Sequence, residues 1–362
     1  MKKSDDSIEY SRNNFDLIRL FAAAQVAHFH IFYTMGISVT DLHLKVIGFL
    51  GFFPGVPIFF FISGFLISKS WERHPNLKDY AINRLLRIYP GLISAVTLSF
   101  IFIHASGYVG LGNPSFADLV SLFLAQSTIL QFYNPDFMRG YGDGIMNGSL
   151  WTITVELQFY VLTPLCYTVF KRLKESDYNR SIIFVIFVFL AINVIYGHLH
   201  GQYSQNIIFK LFRVSFLPWF YMFLLGVFFQ RNFNFFYHLL KRKGILCFLA
   251  YVCVAVILRH FGAGFDNHLN PPLFFLMGCL IFSTAYSCTS LSNKILRGRD
   301  ISYGIYLYHM PFVNVMIFVS GSKSYIAGLA VGGATIIMSI ASWFLVERKA
   351  LKFKANSMKV VR

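Results

Sequence analysis

Charged residues are scarce in this sequence: Asp, Glu, Lys and Arg together make up 13% of its 362 residues. A soluble protein ordinarily carries about 25% charged residues to cover its surface. Hydrophobic residues instead reach 56%, and the mean hydropathy is +0.57. The scarcity of charge therefore excludes an ordinary soluble globular protein and indicates a chain that is embedded in a membrane.

Cysteine is also rare, and its distribution argues against two common kinds of structural cross-link. The five cysteines, Cys166, Cys247, Cys253, Cys279 and Cys288, lie in or beside apolar runs without the spacing of a zinc site. We expect no disulfide and no bound metal, and we interpret the cysteines as small buried hydrophobic residues. The sequence also lacks a P-loop, a GxGxxG motif and an internal repeat.

Long apolar runs are abundant, and each is about 17 to 25 residues long, which is enough to cross a bilayer. They predict an all-α polytopic bundle of about ten transmembrane spans. We treat residues 1–362 as a single membrane domain. A further stretch at 115–132 is predicted to be a short re-entrant or interfacial helix. We place the spans at 16–36, 47–68, 86–104, 149–170, 181–198, 211–230, 244–260, 271–289, 301–319 and 325–346.

The net charge of +16 does not form one basic patch, because the basic residues alternate with the apolar runs. With the N-terminus inside, 25 of the 32 basic residues fall in inner segments, Arg19 lies at the inner edge, and six fall in outer segments. This asymmetry follows the positive-inside rule, so both tails, about 1–14 and 348–362, are expected to be cytoplasmic. We expect membrane lipids, and no nucleic acid, among the partners. The first apolar run is interpreted as a retained signal anchor.

The longest predicted non-spanning stretch, 105–148, faces outward in this topology and contains several Gly and Pro turn signals. Two interpretations of this outer loop are open. It is either a lid or acceptor-binding loop, or a plain connector between spans.

Two polar residues of the first predicted span share one face. A charge near the centre of a span costs roughly 2.5 to 3.5 kcal/mol, so each polar residue there needs a partner or a function. Arg19 and His30 are separated by about 1100° of helix and about 16 Å of rise, which places them within about 20° of the same face. His28 points about 180° away from Arg19. For such a histidine, a hydrogen bond to a neighbouring helix is the structural alternative to a catalytic role.

Five blocks of sequence, in order, resemble the motifs of the acyltransferase-3 family of membrane acyltransferases. The first is the segment 15–19 (FDLIR), which contains Asp16 and, with His30, resembles the family's Arg-x10-His signature. The other blocks resemble the family's second-span motif, its basic RxxR loop, and its SLWxxxxExQFY and ISYxxYLxHxP motifs. They are Gly55–Ile67 with Ser63, Asn83–Pro90 with Arg84 and Arg87, Ser149–Tyr160 with Trp151 and Glu156, and Ile301–Pro311 with His309.

The resemblance covers nearly the whole chain and ends at the segment 346–348 (VER), which contains Glu347. The sequence departs from the family pattern at Leu17 and Leu20, where glycines are usual. We also expect no appended hydrolase-like domain. The resemblance implies transfer of an acyl group, acetyl in the first place, from acyl-CoA to a hydroxyl of an envelope glycan. A lipid-linked O-antigen or another polysaccharide is the implied acceptor, and the bacterial inner membrane is the implied location.

Transfer to a hydroxyl needs a base that works near neutral pH, and histidine is suited to this role. His30 is the candidate base, and Glu156, at a similar depth in its own span, is the candidate partner that orients the imidazole and stabilises its charged form. The alternative is that Glu156 is a structural partner of some other polar group. For His309, a helix-packing hydrogen bond is favoured over a place in a cavity opened by a kink at the following proline. Further site candidates are Asp16, Ser63, Trp151, Tyr160 and Glu347.

Arg84 and Arg87 are one helical turn apart, and a pair of guanidinium groups suits the phosphates of coenzyme A. The positive-inside bias alone also places arginines at such positions. Arg19 is a candidate both for catalysis and for binding acyl-CoA.

The residues by themselves leave two other classes of function open. A solute transporter would also bury Arg, His and Glu along its pathway. A non-catalytic envelope assembly factor is the third possibility, and it would keep its function after loss of His30.

Overall fold

The computed structural model describes residues 12–170 and 175–353, and this part of the chain consists of helices and loops, with no strand. The all-α prediction is confirmed. The helices are α1 (Phe15–Thr34), α2 (Asp41–Leu50), α3 (Gly55–Arg73), α4 (Leu77–Ala105), α5 (Tyr108–Gly112), α6 (Phe116–Gln126), α7 (Trp151–Phe170), α8 (Glu175–Tyr203), α9 (Ile207–Arg213), α10 (Phe220–Arg231), α11 (Phe233–Leu240), α12 (Gly244–His260), α13 (Pro271–Ala285), α14 (Leu291–Leu296), α15 (Ser302–Ser320) and α16 (Tyr325–Ser342). Shorter elements are the 3₁₀ turns Asp136–Gly140 and Gly148–Leu150 and the π-helical turn Trp343–Glu347.

Four helical stretches in the described residues are long and apolar enough to cross a membrane. They are Asp41–Arg73, which contains α2 and α3, Leu77–Ala105, Asp177–Tyr203 and Tyr325–Phe353. A fifth results if α11 and α12, whose axes meet at 88°, are one broken span, and α10 and α13 are apolar but shorter. The number of ten spans is therefore not confirmed, whereas a short helix, α6, does lie within 115–132.

The helices α1 and α15, at two of the predicted spans, are 20 and 19 residues long but are not among those four stretches. Their length is sufficient for about 30 Å of hydrocarbon. Polar side chains interrupt their apolar surface, notably Arg19 and His30 in α1 and His309 and Asn314 in α15. The helices that carry the candidate histidines are thus long enough to span a membrane and contain polar residues within their apolar sequence.

The chain divides into two compact units. The first comprises the described residues up to Ala22 together with Gly48–Pro75 and Gln158–Asp300. The second comprises Ala23–Ile47, Asn76–Leu157 and the described residues from Ile301 onward. The single domain over 1–362 stays a prediction, and the predicted tails, about 1–14 and 348–362, lie mostly outside the described residues.

In the first unit, α3 and α10 approach each other backbone to backbone at two glycines. A Cβ atom added at Gly64 would lie 1.9 Å from the carbonyl oxygen of Phe223, and one added at Gly226 would lie 2.0 Å from that of Phe61. Small residues allow such close approach between membrane helices, where van der Waals packing stabilises the pair. Gly64, within the block Gly55–Ile67, therefore has a packing role.

We expect Gly226→Ala to lower the thermal stability of the protein, because its methyl group would meet a backbone oxygen that cannot move aside. Overpacking of this kind costs typically 1–3 kcal/mol. Gly333→Ala is the matched control, since nothing lies within 4 Å of a Cβ atom at Gly333, and alanine is the better helix former. The measurement is the folded fraction that survives heating in detergent. Equal melting of the two variants would contradict the close contact.

In the second unit, α15 packs tightly against α4 and α16. A Cβ atom at Gly304 of α15 would lie 2.9 Å from Cα of Ser339 in α16, and one at Gly91 of α4 would lie 2.8 Å from the ring of Tyr303. These contacts fix the position of α15, the helix that carries His309.

The cysteines are free thiols, and none of them is buried. Cys253 and Cys288 are exposed, and Cys166, Cys247 and Cys279 are half-buried. The prediction that they are buried hydrophobic residues is wrong. In a membrane helix an apolar side chain is as stable against lipid as in the protein interior, so hydrophobic character alone does not predict burial.

Candidate active site

Helix α15 runs through Pro311, and the carbonyl that this proline leaves without a donor is bonded by Asn147. Proline has no N–H, so the carbonyl of Leu307, four residues earlier, lacks its helical partner. The buried side-chain amide of Asn147 donates to this carbonyl at 2.9 Å. Asn147 also accepts from the Ser149 hydroxyl at 2.6 Å. The segment that leads into α7 is thereby held against α15.

A second set of hydrogen bonds joins α7 to α15 at Tyr306. The Tyr306 hydroxyl donates to the carbonyl of Ser149 at 3.0 Å and lies 2.6 Å from the Thr152 hydroxyl. All three residues are buried. The ring of Tyr306 lies edge-on to the ring of His309, with the ring centres 6.1 Å apart. The blocks at 149–160 and 301–311 therefore share one polar cluster in the second unit.

His30 and His309 form a hydrogen-bonded pair beside this cluster. Nδ1 of His30 lies 2.8 Å from Nε2 of His309, and Nδ1 of His309 lies 3.0 Å from the carbonyl oxygen of Ile305. A carbonyl oxygen only accepts, so in neutral His309 the proton is on Nδ1 and Nε2 accepts from the Nδ1–H of His30. This assignment, made from the hydrogen-bond network, leaves the unshared electron pair of neutral His30 on Nε2.

The two histidines differ in access. His309 is completely buried, whereas His30 is half-buried. A proton that binds Nε2 of His30 makes its imidazole a cation, and the bond from its Nδ1–H to His309 then becomes charge-assisted and stronger. The arrangement is therefore suited to a base at His30 that His309 orients and stabilises.

His28 lies on the opposite side of α1 from this pair. Its Nε2 lies 2.9 Å from Nε2 of His43, and the two rings are stacked with their centres 5.0 Å apart. His28 is thus hydrogen-bonded to α2, as expected for a histidine that faces away from His30.

Glu156 was expected to orient the ring of His30, but the partner at Nδ1 of His30 is His309. Glu156 lies on α7, one turn after Thr152, whose hydroxyl lies 2.6 Å from the hydroxyl of Tyr306. It therefore belongs to the surroundings of the polar cluster, and a direct role in catalysis stays a prediction. The expected helix-packing hydrogen bond of His309 is present, to His30 of α1.

Arg84 and Arg87 lie one turn apart on α4, and both side chains are half-buried. The guanidinium of Arg84 lies 5.8 Å from the centre of the Tyr80 ring. The next turn of α4 is fixed to α15, because the Tyr303 hydroxyl donates to the carbonyl of Ile88 at 2.9 Å. Both arginines therefore lie in the second unit, which also holds the histidine pair, and their phosphate-binding role stays a prediction.

Arg19 lies in the first unit, where carboxylates hold its guanidinium. It pairs with Asp16, one turn earlier on α1, and lies 3.2 Å from the carboxylate of the buried Asp300. Two carboxylates offset the charge of one guanidinium, which gives Arg19 and Asp16 a structural explanation. The catalytic and acyl-CoA-binding roles of Arg19 stay predictions.

The remaining sequence candidates differ in burial: Tyr160 and Glu347 are buried, and Ser63 and Trp151 are half-buried. The carboxylate of Glu347 accepts a hydrogen bond from Ser342 at 3.0 Å. Functional roles for all four stay predictions.

The end of the outer loop is fixed to α15 by the buried Asn314. Its side-chain amide donates to the carbonyls of Ile145 and Met146 at 2.8 and 3.0 Å, and its oxygen accepts from the N–H of Asp143 at 3.0 Å. Three hydrogen bonds to one buried side chain favour a fixed connector over a lid at this end of 105–148.

Sequence analysis missed Asn147, Tyr306 and Asn314. The signal for Asn147 was Pro311, because a proline inside a helix leaves one carbonyl that requires a donor from elsewhere. The signal for Asn314 was an amide side chain within an apolar run, where each polar group requires a partner. Their partners could not be read from the sequence, since these lie more than a hundred residues away.

Comparison with known proteins agrees with the motif blocks. The acyltransferase-3 family model, described as an acyltransferase domain, matches residues 12–348. Nodulation protein 10 of Rhizobium leguminosarum is 28% identical over 98% of both chains. The O-acetyl transferase of Shigella phage Sf6 is 27% identical over 94% of this chain and 97% of its own. The peptidoglycan O-acetyltransferase OatA of Listeria monocytogenes is 24% identical, and the alignment covers 85% of this chain and 53% of that protein. No solved structure matches.

The described residues thus form a membrane protein of apolar helices in which the buried His309 is hydrogen-bonded to the half-buried His30. The family model that matches residues 12–348 identifies the class of protein. The chain belongs to the acyltransferase-3 family and is an acyltransferase, which decides against the transporter and assembly-factor alternatives.

Proposed function

We propose that this acyltransferase moves an acetyl group from acetyl-CoA to a hydroxyl of an envelope glycan, such as a lipid-linked O-antigen or another polysaccharide. The observation that carries the proposal is the pair formed by His30 and His309, in which the accessible histidine keeps its unshared pair on Nε2. The names of two relatives, an O-acetyl transferase and a peptidoglycan O-acetyltransferase, support acetyl as the group and a glycan as the acceptor.

In the proposed reaction, Nε2 of His30 takes the proton of the acceptor hydroxyl while the oxygen attacks the thioester carbonyl carbon. The new C–O bond forms, the C–S bond breaks, and the thiolate of coenzyme A leaves with the electron pair. The proton on His30 then passes to this thiolate, which restores neutral His30 and releases coenzyme A. His309 supports the cationic intermediate through the Nδ1–H bond, and such general base catalysis contributes about 10²- to 10⁴-fold.

Arg84 and Arg87 are the proposed phosphate contacts for coenzyme A. We expect Arg84→Ala or Arg87→Ala to weaken acetyl-CoA binding about tenfold or more, because a hydrogen bond to a charged group is worth about 1.5–3 kcal/mol. Lys78→Ala is the matched control, since Lys78 is an exposed cation on the same helix. Binding is measured by titration of the purified protein with acetyl-CoA. Unchanged acetyl-CoA affinity in both variants would mean that Arg84 and Arg87 only follow the positive-inside bias and do not bind coenzyme A.

We also propose that the chain lies in the bacterial inner membrane with about ten spans and both termini in the cytoplasm. The distribution of basic residues supports this topology, and α1 and α15 are long enough to be spans despite their polar side chains. A reporter fused after residue 348 tests it, because a reporter that is active only in the cytoplasm should be active there.

The activity itself is tested with purified protein in proteoliposomes that receive radiolabelled acetyl-CoA and an isolated lipid-linked glycan. We expect alkali-labile label in the glycan and release of one coenzyme A per acetyl group. Release of coenzyme A without label in any glycan would contradict the proposed acceptor class.

A further inference from the structure

The first unit contains a basic cavity of about 810 Å³, a size within the ordinary range for ligand sites. The histidine pair belongs to the second unit and takes no part in it. The residues that line the cavity are Arg12, Tyr237, Lys241, Arg242, Gly244, Ile245, Tyr286, Ser287, Cys288, Thr289 and Ser290. None of these described residues is acidic.

One wall of the cavity is a turn that the buried Asn14 holds in place. Its side-chain amide donates to the carbonyls of Ser287 and Cys288 at 2.7 and 3.2 Å, and its oxygen accepts from the N–H of Ser292 at 2.9 Å. These bonds satisfy backbone groups that follow the C-terminal end of α13. The wall is therefore formed without a ligand.

Positive charge converges on the cavity from three side chains and one helix end. Arg12, Lys241 and Arg242 supply the side-chain charges. Helix α12 begins at Gly244, which lines the cavity, and the side chain of Lys243 does not cap it. The free N–H groups and the dipole at a helix N-terminus favour anions. Together these groups favour a phosphate.

Two of the four non-glycine residues with left-handed backbone in the described part of the chain line the cavity. Arg242 has a φ of 60° and Cys288 a φ of 50°, and both line the cavity. Left-handed backbone in residues other than glycine costs about 1–3 kcal/mol and clusters at ligand sites.

The elements around the cavity have the geometry of a membrane surface. The axes of α11 and α12 meet at 88°, so α11 lies along the surface when α12 crosses the membrane. Phe235 and Leu239 of α11 are exposed, and Ile245, which lines the cavity, is 80% exposed. Exposed apolar side chains next to basic groups suit a ligand that carries both a phosphate and hydrocarbon chains.

We infer that this cavity binds the phosphate headgroup of an anionic phospholipid, whose acyl chains lie along the exposed apolar side chains at the start of α12. Soluble phosphates share the headgroup chemistry but lack the hydrocarbon that these side chains would cover. The site uses none of the residues of the proposed acetyl transfer, so either proposal can fail without the other.

The test compares two triple variants of the full chain in phosphatidylcholine nanodiscs that contain a minor fraction of phosphatidylglycerol. Arg12→Gln with Lys241→Gln and Arg242→Gln removes the cations of the cavity. Lys78→Gln with Lys294→Gln and Lys349→Gln removes the same charge from exposed positions outside it. Co-purified lipid is quantified by mass spectrometry, and thermal melting confirms that both variants are folded.

We expect wild type and the control to retain phosphatidylglycerol over phosphatidylcholine and the cavity variant to lose this preference by about tenfold or more, since each cation contributes about 1 kcal/mol. Equal loss in both variants would assign the preference to overall charge and overturn the site. Competition assays with inorganic phosphate and with adenosine 3′,5′-bisphosphate show whether the cavity binds a soluble phosphate or the phosphate headgroup of a lipid. Tight binding of either one, without any preference for phosphatidylglycerol, would overturn the lipid assignment.

Discussion

His30→Ala is expected to lower the rate of acetyl transfer by about 10²- to 10⁴-fold, the range that a general base contributes. The variant removes the nitrogen that takes the acceptor proton. Because His30 is half-buried and its side chain is hydrogen-bonded to a single residue, His309, we expect the protein to fold and to bind acetyl-CoA as before. The measurement is the initial rate of label transfer in proteoliposomes, together with acetyl-CoA affinity.

The matched control is His28→Ala. His28 lies two residues from His30 on the same helix and is also paired with a histidine, His43. It points away from the His309 pair, so its loss should leave the transfer rate close to that of wild type. A folded His30→Ala protein with the wild-type rate would remove the proposed base.

His309→Ala is expected to lower the transfer rate by roughly 10²-fold or more, by analogy with other enzymes in which the group that orients a catalytic histidine is altered. Without His309, Nδ1 of His30 loses its acceptor, and the imidazole is free to adopt the wrong tautomer or a different rotamer. Acetyl-CoA affinity should be unchanged, so the decrease in transfer rate should appear as a decrease in kcat.

Because His309 is completely buried, its replacement by alanine also leaves a cavity. His309→Gln separates the two effects, since the side-chain oxygen of glutamine can take the place of Nε2 as an acceptor. We expect this variant to retain more activity than His309→Ala. A folded His309→Ala protein with wild-type kcat would show that the pair is structural only.

The sequence selected His30 as the candidate base, which stays a prediction, but it did not predict the contact of His30 with His309. The spacing of Arg19 and His30 and the family motifs were enough to select His30. His309 was recognised as a polar residue within a span, yet its contact with His30 joins positions that are 279 residues apart. Glu156 was chosen as the partner from its depth and its place in a motif block, and neither specifies which helices are neighbours. Its orienting role stays a prediction.

The helical class was predictable because length and composition leave a membrane-embedded chain few alternatives. The number of spans was less predictable. Helix α1 carries Arg19, His28 and His30, so its hydropathy is lowered by the residues that make it informative about function. Cys253 was predicted to be buried, but it is exposed. Lipid and the protein interior are equally apolar, so the hydrophobic character of a residue in a membrane helix does not show which of the two it faces.

The most direct measurement of the central claim is photo-crosslinking with a non-hydrolysable acetyl-CoA analogue that carries a reactive group at the acyl end. The account predicts that the acyl end labels peptides containing His30 or His309, and that a second analogue, reactive at the adenine, labels the segment with Arg84 and Arg87. Labelling should be lost in the presence of excess acetyl-CoA. Acyl-end labelling confined to segments without either histidine would contradict direct transfer at His30 and would require a separate acyl relay.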